Sequence, residues 1–211
     1  MAAILMNLQR TVIAAFVLAL VLFVVIMQVS GADWNATLGD RGFWSFIVRW
    51  LHIVSGVMWI GLLYYFNFVS AVQMPQIPDE QKPALGKFIT PAALFWFRWA
   101  AMATLVLGLI EAHLNGYLLD ALSLGATEKF AVPSHTLIGI GAWLGTIMWF
   151  NVWFVIWPNQ QKALNIGNRY PDLTKDAKAA AGRTASLFSR TNVILSIPML
   201  FAMAGASHLG V

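Results

Sequence analysis

Long apolar stretches without charge are the feature that most limits what this chain can fold into. The first of them, TVIAAFVLALVLFVVIMQV at residues 11–29, contains no charged side chain. A helix of about 20 such residues crosses the hydrocarbon core of a bilayer, and a helix satisfies its own backbone hydrogen bonds where water is absent. Of the 211 residues, 59% are hydrophobic and 10% are charged, whereas a soluble domain has about 25% charged residues. The sequence therefore predicts an integral membrane protein.

The positions of the apolar stretches predict an all-α fold, a bundle of five transmembrane helices in a single membrane domain over residues 1–211. Polar loops rich in proline or charge separate the helices, and Pro158 is expected to end the fourth helix. Two shorter helices are expected at the membrane surface, one within LLDALSLGA and one within DLTKDAKAAAGRTASLF. The predicted spans are residues 11–29, 43–73, 91–113, 134–157 and 190–209.

The distribution of Lys and Arg predicts the orientation of the helices. Of the 13 basic residues, only Arg41, Arg49 and Lys129 fall on the side of the spans that holds the C-terminus. Because cytoplasmic loops carry the excess of Lys and Arg, the N-terminus is predicted in the cytoplasm and the C-terminus outside. The excess of basic residues that gives the net charge of +4 then lies on the cytoplasmic face, next to anionic membrane lipid. No nucleic-acid partner is therefore expected.

The sequence contains no cysteine. This excludes disulfides, thiolate zinc sites, cysteine-bound iron–sulfur clusters and the covalent attachment of c-type haem. Any metal or cofactor is therefore expected to bind to His, Met, carboxylate or backbone groups.

The four histidines all fall in the predicted outer half of the membrane. His52 lies near the outer start of the second span and His135 near the outer start of the fourth. His113 and His208 lie at the outer ends of the third and fifth spans. Because ionisable residues within membrane helices are rare and usually functional, all four are candidate ligands for a metal or cofactor.

Haem b suits His52 and His135, because its iron takes two axial imidazoles and its flat ring needs small neighbours. The second and fourth spans run in the same direction, and each has a glycine four residues after its histidine, Gly56 and Gly139. We therefore predict His52 and His135 as an axial pair, with Arg49 positioned to meet a haem propionate.

The other two histidines, His113 and His208, are predicted to form a second pair for another haem or a metal. Simpler interpretations stay open, since histidines at helix ends are often interfacial, glycines also pack helices, and Arg49 can extend to the interface. Copper is a weaker alternative cofactor, because histidine and some of the nine methionines suit it.

Three segments carry a resemblance to a known family: RWLHIVSGVMWIGLLYYFNFV, ALFWFRWAAMATLVLG and HTLIGIGAWLGTIMWFNVWFVIWPNQ with the RTN that follows. They resemble the membrane domain of PuuD-type urate oxidases (urate hydroxylases) over residues 44–208. More distantly, the start of the second span is similar to HemJ-type protoporphyrinogen oxidases, which are associated with haem b.

The resemblance implies a multi-pass protein of the bacterial inner membrane that passes electrons to a c-type cytochrome. Because this sequence has no C-x-x-C-H motif, the cytochrome or a larger redox complex is expected to be a separate partner. The expected function is electron relay by a b-type haem at the outer face, from urate or another small-molecule reductant, with no catalytic residue assigned. Alternatives are a non-catalytic structural subunit of a larger membrane complex, or a copper-handling or transport protein.

Overall fold

The computed structural model describes residues 2–209, and every regular element in that part of the chain is a helix. Five helices are long and apolar enough to cross a membrane, which indicates a membrane protein. Short helices lie at Ala2–Leu5, Trp34–Gly39 and Leu118–Leu122, and single 3-10 turns lie at Ala126–Glu128 and Ile166–Asn168. The five long helices are α1 (Leu8–Ser30), α2 (Arg41–Gln76), α3 (Lys82–Leu114), α4 (Pro133–Leu164) and α5 (Lys175–His208).

The chain divides into two compact units, of which the first covers residues 1–44. Asn7 caps α1 by accepting a hydrogen bond from the backbone N–H of Arg10 at 3.1 Å, and Gly31 ends the helix with a left-handed φ of 64°. Among the described residues of α1 only Met27 is buried. The prediction of a single membrane domain stays a prediction.

The second unit covers residues 45–211 and contains most of α2 together with α3, α4 and α5. Its core is built from residues three or four positions apart, so that each helix turns one stripe inward. The fully buried side chains at its centre include Trp59, Leu63, Leu94, Met148, Val152 and Ile156.

A pair of asparagines joins α4 to α5 inside this unit. Asn151 donates to the side-chain oxygen of Asn192 at 2.8 Å, and Asn192 donates to the carbonyl of Met148 at 3.0 Å. Asn192 has no exposed surface. Because small residues such as Ala181, Ala185 and Ser189 line α5 on the same buried stripe, the helix packs closely enough for these bonds.

The helices are longer than the sequence predicted. The fourth span was expected to end before Pro158, but α4 continues to Leu164. A π-helical stretch at Asn151–Ile156 precedes Pro158. The proline therefore lies in the first turn of the α-helical segment Trp157–Leu164, where a backbone N–H is not needed. The segment expected as a separate surface helix is instead continuous with the fifth span, in one helix from Lys175 to His208 that Thr174 caps.

We expect Asn192→Ala to lower the free energy of unfolding by about 1–2 kcal/mol, because it leaves the Asn151 amide without its acceptor in an apolar core. Titration of the purified protein from mild detergent into SDS measures this. Thr191→Ala is the matched control, since Thr191 is exposed and its hydroxyl donates only to Leu187 of its own helix. Equal stability of the two variants would contradict the role assigned to Asn192.

Candidate functional site at the histidine end of the bundle

The ring of His52 is held by a backbone carbonyl of α3. Its Nδ1 lies 2.8 Å from the carbonyl oxygen of Thr104. A carbonyl only accepts, so Nδ1 must carry the hydrogen, and in the neutral ring Nε2 then carries the free lone pair. His52 is half-buried. Metal-ligating histidines commonly donate their other ring nitrogen to a carbonyl in this way.

The glycine that makes room for the His52 ring is Gly108, and not Gly56 as predicted from the sequence. A Cβ added at Gly108 would lie 2.9 Å from Cε1 of His52, so the bare backbone of α3 forms the wall against the imidazole. Gly56 faces the same helix one turn further along, and a Cβ there would lie 3.8 Å from the methyl group of Thr104. Both His52 and Gly56 therefore face α3.

Arg49 forms an ion pair with Glu111 across the α2–α3 contact, through its Nε. The Glu111 side chain is 11% exposed and that of Arg49 is 54% exposed. Tyr117, which follows α3, lies close enough to Arg49 and Glu111 to interact electrostatically with both. Burial raises the pKa of the Tyr117 phenol, and the negative charge of Glu111 raises it further. The phenol therefore stays neutral over the physiological range.

His135 occupies the first turn of α4 and is half-buried. Its Nδ1 lies 2.9 and 3.1 Å from the two carboxylate oxygens of Glu128. The ring of Tyr117 stacks on the imidazole with a centroid distance of 5.4 Å and an interplanar angle of 28°. The Glu128 carboxylate at Nδ1 and the Tyr117 ring stacked on the imidazole together orient His135.

The glycine beside His135 is covered by protein. A Cβ at Gly139 would overlap the carbonyl oxygen of Ala121, in the short helix Leu118–Leu122. Trp143 donates from its indole Nε1 to the carbonyl of Leu122 at 3.0 Å, which holds the same helix. In this structure the surface predicted to lie against a porphyrin packs against the α3–α4 connection.

The remaining two histidines are exposed. His208 bonds through Nδ1 to the carbonyl of Ala204 at 2.9 Å, one turn earlier in its own helix. His113 follows Glu111 by two residues, at the end of α3. Near His208, Gly205 of α5 packs against Leu137 of α4.

Contacts between Arg49 and Glu111, Tyr117 and His135, and Gly205 and Leu137 link the histidine-bearing helix ends. No hydrogen bond, ion pair or ring contact joins His52 to His135 among the described residues. Their surroundings are connected instead through Tyr117, which stacks on His135 and interacts electrostatically with Arg49 and Glu111. Ligation of haem or metal by His52, His135, His113 and His208, and the roles given to Arg49, Gly56 and Gly139, stay predictions.

Sequence reasoning missed the groups that orient the two half-buried rings. The acceptor for His52 is a backbone carbonyl, for which no sequence signal exists, and Gly108 is one of many small residues in α3. Glu128 lies seven residues before His135 in a loop, a spacing that predicts no contact.

We expect Gly139→Ala to lower the free energy of unfolding by about 1–3 kcal/mol, because the new methyl group would push the Leu118–Leu122 helix off α4. Unfolding in mixed detergent and the rate of proteolysis within residues 114–134 both measure this. Gly145→Ala, on the same helix, is the control, since a Cβ there meets nothing within 4 Å. A Gly139→Ala protein as stable and as protease-resistant as the control would show that the connection does not pack on α4.

Comparison with known proteins gives one match. The family model described as urate oxidase N-terminal matches residues 109–211. This region contains α4, α5 and the histidines His113, His135 and His208, whereas His52 lies outside it. No curated protein and no solved structure matches the chain. The match supports a relationship to the urate oxidase family.

Proposed function

We propose that this protein is a b-type haem membrane protein that relays electrons from a small reductant to a separate c-type cytochrome. The observation that carries the proposal is the half-buried imidazole of His52. This residue lies in a long apolar helix, and its Nδ1 donates to the carbonyl of Thr104. Its Nε2 is therefore the atom available to bind iron. Ionisable groups at such positions are usually functional.

The other histidines support the proposal through the same chemistry. Nδ1 of His135 faces the carboxylate of Glu128, and Nδ1 of His208 faces the carbonyl of Ala204. The rings of His135 and His208, like that of His52, therefore have an acceptor on Nδ1, which favours the tautomer with Nε2 free for iron. His52 and His135 are the proposed axial pair, and His113 and His208 are the proposed ligands of a second haem or metal.

The haem would supply reversible one-electron transfer, and the protein's own residues would bind and orient it. Thr104 fixes the ring plane of His52, and Gly108 leaves space beside it. Arg49 uses Nε for Glu111 and has its other guanidinium N–H groups for a propionate, on a side chain that is half exposed.

The substrate class and the location are further parts of the proposal. The match to the urate oxidase N-terminal family supports urate or a similar small reductant as the electron source. The excess of Lys and Arg in residues 74–90 and 158–190 supports a cytoplasmic location for these helix ends and their connections. The histidine end would then face the outside of a bacterial inner membrane, where a c-type cytochrome or a larger redox complex would accept the electrons.

The absorption spectrum of the purified protein tests the proposal. We expect a Soret band in the oxidised protein and a sharp alpha band after reduction with dithionite. A protein without these bands, prepared from haem-replete cells, would contradict the proposal. Copper by elemental analysis would then favour a copper-handling protein, and a metal-free chain stable only with partner subunits would favour a structural subunit.

Variants at the His52 wall test which ring holds the iron. We expect His52→Ala to remove or convert the low-spin bands, and Gly108→Ala to shift them, since its methyl group would displace the His52 ring by a few tenths of an ångström or more. Gly145→Ala is the control and should leave the spectrum unchanged. Circular dichroism and gel filtration establish that each variant is folded, and an unaltered spectrum in folded His52→Ala would reject His52 as a ligand.

A further inference from the structure

We infer that Asp120, Glu128 and His135 together form a binding site for a divalent transition-metal cation of the Zn²⁺ class, in the connection between α3 and α4. The inference goes beyond the proposed haem function and does not depend on it. A cation on Nδ1 of His135 would take the place of the hydrogen donated to Glu128 and would leave the ring hydrogen on Nε2, so His135 then binds this cation in place of haem iron.

Three separate elements bring the ligand atoms together. Asp120 lies in the short helix Leu118–Leu122, Glu128 in the 3-10 turn Ala126–Glu128, and His135 in the first turn of α4. One ligand atom from each side chain lies within 4.8 Å of the other two. These residues are 15 positions apart at most in the sequence, but only the folded connection gathers them.

The separations suit a shared cation. Ligand atoms about 2.0–2.2 Å from Zn²⁺ lie about 3 Å apart when they are neighbours in its coordination sphere. Nδ1 of His135 is 2.9 and 3.1 Å from the two oxygens of Glu128. A small inward movement of Asp120 would complete a three-ligand site with open positions for water or a substrate atom.

The charges also favour a cation. Two carboxylates face one histidine in a half-buried cluster, in which the side chains of His135 and Glu128 are 25% and 26% exposed. Asp120 bonds to Thr127 and Glu128 bonds to His135, and the described ion pairs of Arg49 and Lys82 are made with other carboxylates. Negative charge that is partly removed from water needs a positive partner, and a divalent cation supplies it.

The donor set indicates which cation. One imidazole nitrogen with two carboxylates suits Zn²⁺, Mn²⁺ or Fe²⁺, whereas Ca²⁺ and Mg²⁺ prefer sites built from oxygen alone. Thr127 donates to Oδ1 of Asp120 at 2.6 Å, which orients that carboxylate. Tyr117 stacked on His135 restrains the imidazole in the same way. Such orienting contacts are typical of ligating side chains.

Titration of the EDTA-washed, full-length protein in detergent with Zn²⁺ tests the inference. We expect one saturable site per chain by calorimetry and a rise in the melting temperature of the wild-type protein with added Zn²⁺. Asp120→Asn and Glu128→Gln, which keep the shape of each side chain, should each weaken binding by at least about tenfold. Ca²⁺ at the same concentration should not compete.

Glu80→Gln and Asp172→Asn are the controls, because both residues are exposed and lie outside the cluster. They should bind Zn²⁺ as the wild type does. Absence of saturable binding in the wild-type protein would overturn the inference, as would Zn²⁺ affinity unchanged in folded Asp120→Asn and Glu128→Gln, since the cation would then be bound elsewhere. The haem bands of His52→Ala test the proposed function separately, because His52 bonds to Thr104 and is not a member of this cluster.

Discussion

The contact between α4 and α5 depends on burying a polar side chain completely and still satisfying it. Asn192 has no exposed surface, accepts from Asn151 and donates to the carbonyl of Met148. In an apolar surrounding an unpaired amide is costly, so the two helices are held in the register that keeps both bonds. The small residues along α5 permit the approach, and the amides select one alignment from the many that small residues would allow.

Two ion pairs lie at the histidine end of the second unit. Tyr117 stacks on His135, the partner of Glu128, and interacts electrostatically with Arg49 and Glu111. Each imidazole that the structure orients is oriented through Nδ1, by a backbone carbonyl for His52 and by a carboxylate for His135. These orienting groups belong to helices or to a connection that is itself packed on Gly139.

The five helices could be predicted because the signal for each is local. A run of about 20 apolar residues is enough to predict a helix that spans a membrane, and every predicted span lies within one of the long helices except the last residue of the fifth, position 209. The ends of the helices were less predictable. Pro158 would end an ordinary helix, but the π-helical stretch before it relieves the conflict, and that stretch has no sequence signature.

The helices and their apolar character could be predicted from the sequence, because both follow from composition. The positions of the four histidines near the same ends of the spans follow from the regular rise of a helix. What each histidine faces depends on the tertiary structure. A hydrogen bond to the carbonyl of Thr104, a wall made by Gly108 and a carboxylate from Glu128 depend on how α3 and its connection pack against α2 and α4. Contacts between distant segments depend on the packing of whole helices, which no local pattern encodes.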